Sequence, residues 1–118
     1  MTKAGLYTDF VVVATGYNEF NNAKVFSETV MDFCEESEKQ RVQLVWLTYR
    51  ASGNVTSKAH AFNKILNSST GVCKTLNILD WNALSEGKKE WFAGDEVHLR
   101  GVGPLKMAQF ISDFLETI

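Results

Sequence analysis

One proline and two cysteines among 118 residues exclude a proline-rich linker and a disulfide-dense scaffold. Charge of one sign is scarce too. Lys and Arg number 12 against 14 Asp and Glu, a net charge of -2, so nothing draws the chain to nucleic acid or an anionic membrane surface, and nucleic acid is not expected as a partner. No apolar run approaches the roughly 20 residues of a membrane-spanning helix. The start, Met1-Thr2-Lys3-Ala4-Gly5, lacks the hydrophobic stretch of a secretory signal. The chain therefore reads as soluble, without a membrane segment. What it does have is 45% hydrophobic and 12% aromatic residues, enough for one modest globular domain over residues 1–118. The cysteines, Cys34 and Cys73, lack metal-ligand spacing and read as two buried free thiols. A single bridge between them stays open for an exported domain, so they leave the compartment undecided.

The hydrophobic pattern alternates between strand and helix. Asp9-Phe10-Val11-Val12-Val13-Ala14-Thr15 is a continuous β-branched-rich run without polar alternation, the signature of an interior parallel strand buried on both faces. After Gly16-Tyr17-Asn18-Glu19 and Asn21-Asn22, the residues Val25, Phe26, Val30, Phe33 and Cys34 mark one helical face. Val42 to Thr48 gives a second strand, and Ala51-Ser52-Gly53-Asn54 a loop. Thr56 or Ser57 is placed to cap a helix bearing Ala59, Phe62, Ile65 and Leu66. Thr75 to Asp80 gives a third strand. A longer loop from Trp81 to Gly103 precedes a last helix that starts at Pro104 and carries Leu105, Ala108, Ile111 and Leu115. Strands alternating with helices predict a three-layer α/β/α fold around a parallel sheet. In such sheets, sites gather beyond the carboxyl ends of the strands, here Gly16–Asn18, Thr48–Asn54 and the loop after Asp80.

In that last loop Asp95 stands three residues before His98. A carboxylate at this spacing can accept a hydrogen bond from one imidazole nitrogen, fixing the tautomer in which the other takes a proton from a hydroxyl. By itself an Asp-x-x-His loop is more often ordinary surface chemistry. His60, in the second helix, reads as a surface residue. Trp46, Trp81 and Trp91 read as core rather than as a sugar-stacking platform.

The wider context makes the loop more specific. Gly94-Asp95-Glu96-Val97-His98-Leu99, preceded by Trp91-Phe92 and followed by Gly103, closely resembles the last conserved block of the SGNH (GDSL-like) hydrolases and acyltransferases, in particular the branch of peptidoglycan-type O-acetyltransferases. Val11 to Asn18 resembles that family's strand and Gly-x-Asn block, and Asp80-Trp81 at the end of the third strand fits the same branch. The match runs from about residue 9 to the end of the chain. It implies the flavodoxin-like SGNH fold, with His98 as general base, Asp95 as its orienting partner and Asn18 as an oxyanion-hole donor. It also implies acyl or acetyl transfer to or from a sugar hydroxyl through an acyl-serine, without metal or other cofactor. Intact relatives often act outside the cytoplasm.

The resemblance is incomplete. The family's nucleophile belongs to a Gly-Asp-Ser block upstream of the Gly-x-Asn block, and neither it nor the intervening oxyanion-hole glycine block is present. Ser27, Ser52, Ser57 and Ser85 do not sit in a Gly-x-Ser turn, Ser52 being the best placed of them. The expectation is an N-terminally truncated SGNH domain of about three strands, inactive alone, with an acylated or sugar substrate only once complemented. The edge of the Phe10–Ala14 strand would then be open to self-association or to the family's N-terminal half. The alternative is a non-catalytic interaction module that uses the same edge.

Overall fold

The computed structural model describes residues 9–14 and 22–117. Three parallel strands, β1 (Asp9–Val13), β2 (Val42–Leu47) and β3 (Leu76–Leu79), form a sheet in the order β1-β2-β3. Helix α1 (Ala23–Gln40) joins the first pair. Helix α2 (Thr56–Ser69), entered through a 3-10 turn at Gly53–Val55, joins the second, and α3 (Trp81–Ser85) and α4 (Gly103–Leu115) follow β3.

Two cores explain the layering. The side chains of β2 alternate across the sheet, so Leu44 and Trp46 face one way and Val45 and Leu47 the other, all of them buried. On the first face they meet Phe26, Val30 and Cys34 of α1 and Phe62 and Leu66 of α2. The second face carries Trp81, Trp91 and Phe92, covered by Met107, Phe110, Ile111 and Phe114 of α4. Helices therefore cover both faces of a parallel sheet, the α/β architecture expected from the alternating pattern. All three tryptophans are core residues: Trp46 is 0% exposed, and Trp81 stacks on Trp91 at 5.7 Å.

Local chemistry sets most of the boundaries. Asn22 caps α1 by accepting the Val25 N–H at 2.9 Å, and Arg41 ends that helix in the left-handed region at φ 58°. Pro104 lies in the first turn of α4, where its missing N–H costs nothing. The expected cap of α2 is not there. Thr56 is already helical and its hydroxyl donates back to the Gly53 carbonyl, because the 3-10 turn supplies the entry. The long loop after β3 is also more structured than its composition suggests. Asp80 accepts the Ala83 N–H to start α3, and a second 3-10 turn spans Lys89–Trp91.

Two expectations are corrected. Among the described residues β1 pairs only with β2, so its outer edge is uncovered there, as the truncated domain implies and unlike the interior strand buried on both faces that its apolar run suggests; Val11 and Val12 remain 42% and 37% exposed. Cys34 and Cys73 are bridged, not free. The bridge ties the buried face of α1 to the segment entering β3, beside a buried hydrogen bond between Ser37 and Thr75. Among the described residues no helix is long and apolar enough to cross a membrane.

Candidate active site

The chain folds back on itself after Trp91. Phe92 and Leu99 form an isolated antiparallel bridge, the Ala93 N–H donates to the His98 carbonyl at 2.8 Å, and the Glu96 N–H donates to the Ala93 carbonyl at 2.9 Å. Ala93 to Glu96 is thus a tight turn that presents Asp95 and His98 on one short excursion. Glu96 adopts a left-handed φ of 68°, which a non-glycine residue keeps only where its surroundings hold it.

Within this turn Asp95 and His98 meet. One carboxylate oxygen, Oδ2, binds imidazole Nδ1, while Oδ1 accepts the N–H groups of Val97 and His98, both at 3.0 Å. Those backbone donors, and after them the imidazole, hold the Asp95 carboxyl down to about 2, well below its ordinary value. The carboxylate is therefore ionised and fixed on both oxygens at neutral pH. The His98 side chain is 71% exposed, and among the described residues its ring has no side-chain partner other than Asp95. Nδ1 is engaged, which leaves Nε2 as the nitrogen available to accept a proton.

The pair sits at the carboxyl end of the sheet. At the exit of β2 the Thr48 hydroxyl donates to Asp80 at 2.9 Å, and the Ala51 N–H donates to the Asn82 side chain at 2.8 Å, tying this exit to that of β3. Ser52 donates to the Glu96 carboxylate at 2.8 Å, and Arg50 Nε donates to the Glu96 carbonyl at 2.7 Å. A cleft of about 450 Å³ lies beside these exits, lined in part by Ser52, His60, Asn82, Lys89 and Glu96 but not by Asp95 or His98.

Asp95 and His98, three positions apart in sequence, are thus in direct contact. Asn18, with Gly16, Tyr17 and Glu19, lies outside the described residues. Ser52 comes to the turn but is bonded to Glu96 rather than to His98. Ser27 lies along α1, Ser57 at the start of α2, and Ser85 is buried in α3. Sequence reasoning passed over Arg50, although an arginine directly after the apolar run Val45-Trp46-Leu47 and Thr48-Tyr49 was a signal that a charge enters the interior. No protein-family model matches the chain, and no curated protein matches it.

Proposed function

We propose that this chain carries the base side of an SGNH-type O-acyltransferase or esterase site. His98 Nε2 takes the proton of a serine hydroxyl as that oxygen attacks the acyl carbonyl, and Asp95 holds the imidazole and stabilises its protonated form. Asn18 donates to the oxyanion of the tetrahedral intermediate. His98 then returns its proton to the departing group, and in the second half-reaction deprotonates a sugar hydroxyl or water that attacks the acyl-serine.

The observation that carries this reading is the Asp95 carboxylate, anchored by two backbone N–H groups and engaged with Nδ1 of an exposed imidazole at the carboxyl end of a parallel sheet. The serine is the part these residues do not supply: a segment bearing the Gly-Asp-Ser strand would bring it by pairing along the edge of β1 that no described residue covers. The Cys34–Cys73 bridge supports an oxidising compartment, where outward-facing relatives of this kind act.

The test is hydrolysis of an aryl acetate, with the chain alone and mixed with the N-terminal part of an SGNH domain. The chain alone should not turn over or react with a fluorophosphonate. The mixture should do both, and His98→Ala should cost at least about 10³-fold in turnover. A second reading, a non-catalytic module that binds a partner strand, is favoured by the exposure of Val11 and Val12 on the β1 edge. It predicts partner binding that is indifferent to His98→Ala.

A further inference from the structure

Arg50 is only 6% exposed, and burying a guanidinium is costly unless its donors are used. Its Nε donates to the Glu96 carbonyl at 2.7 Å, its Nη1 donates to the Ser85 carbonyl, and its charge lies 4.0 Å from the centre of the Phe92 ring. Two of these three grips fall on the Asp95–His98 turn. Phe92 is the turn's base, where it bridges Leu99, and Glu96 stands between Asp95 and Val97.

The Glu96 grip has a specific consequence. The Glu96 carbonyl and the Val97 N–H belong to one rigid, trans peptide plane and point in opposite directions. Aiming the carbonyl at Arg50 therefore aims the N–H the other way, where it donates to Asp95 Oδ1. The same contact, with the Ser52–Glu96 hydrogen bond, holds Glu96 at its left-handed φ. Without them the 96–97 peptide is free to rotate, and Asp95 loses one of its two backbone donors.

We propose that Arg50 is a positioning residue for the Asp95–His98 pair, acting through the Glu96 peptide and the Phe92 ring to set the carboxylate that orients the imidazole. Its importance for catalysis rests on the reading of that pair as the base of an acyltransferase. The geometric claim is read without any activity.

The experiment is an NMR titration of the Asp95 carboxyl carbon in the folded chain and its variants. Arg50→Met should raise the Asp95 pKa from about 2 part of the way toward 3.8, since the His98 N–H, the larger cause, is kept, and should remove hydrogen-exchange protection at the Val97 amide. Val30→Ala loosens the core on the opposite face of the sheet and should leave both readouts unchanged, as an effect of general destabilisation would not. If Arg50→Met does not fold, Arg50→Lys is read in the same way. It keeps the charge, but its ammonium cannot span the Glu96 and Ser85 carbonyls as a planar fork does. A folded Arg50 variant with Asp95 still near 2 and Val97 still protected overturns the proposal, and so does an equal shift in Val30→Ala. Because no turnover is measured, these results stand apart from failure of the acyltransferase reading, which the aryl acetate assay would reveal.

Discussion

Replacing both Cys34 and Cys73 by alanine should remove a large part of the stability of this domain. The bridge joins positions 39 apart in sequence. Closing a loop of that length removes about 13 cal/mol/K from the unfolded chain, or about 4 kcal/mol at 25 °C. A domain of this kind is held by roughly 5–15 kcal/mol in all, so the loss should be visible in equilibrium unfolding. With a urea dependence of about 1.5 kcal/mol/M, the midpoint should fall by about 2.5 M. Tryptophan fluorescence is a suitable probe, since Trp46 is fully buried in the core that contains the bridge and Trp81 and Trp91 are buried on the other face. A midpoint shift below about 0.5 M at unchanged slope would refute the reasoning. So would reaction of both cysteines with an alkylating reagent in denatured, unreduced protein.

Gly53 has a φ of 59°, and a Cβ there would lie 2.5 Å from the Asp95 carbonyl oxygen. Gly53→Ala should therefore cost about 1–3 kcal/mol in urea unfolding and shift the amide resonances of residues 94–98, whereas an unmoved turn would mean that this approach is not tight. Val11→Lys places a charge on the exposed edge of β1. It should lower any concentration-dependent growth of particle mass in light scattering and block addition of a partner strand, and unchanged association would remove β1 from the interface.

The sequence was most legible where burial imposes a period. β2 is covered on both faces, and its continuous apolar run marked the strand to within a residue of its observed end at Leu47. Pro104 marked the start of α4 because a proline there fits only a first turn. β1 has the same kind of run and yet is an edge: apolar residues say that a strand is strand-like, not whether a neighbour lies on its far side. The last third of α1, Glu35 to Gln40, is wholly polar and stops at a left-handed arginine rather than a glycine, so neither periodicity nor a stop signal traced it. A separation of 39 positions carries no information about Cys34 meeting Cys73; only the packing of α1 against the entry to β3 brings them together. At the site, the Asp95–His98 contact was readable because it is local. Arg50 reaches Glu96 across 46 positions, which no spacing rule anticipates.

The central claim is that His98 is the base of an acyl-transfer site completed by a serine from another segment. Acetyl ester hydrolysis by the chain mixed with the N-terminal part of an SGNH domain, wild type against His98→Ala, tests it most directly. The account predicts turnover that depends on both components and falls at least about 10³-fold in the variant. Turnover that survives His98→Ala, or a mixture with bound components and no turnover, would contradict it.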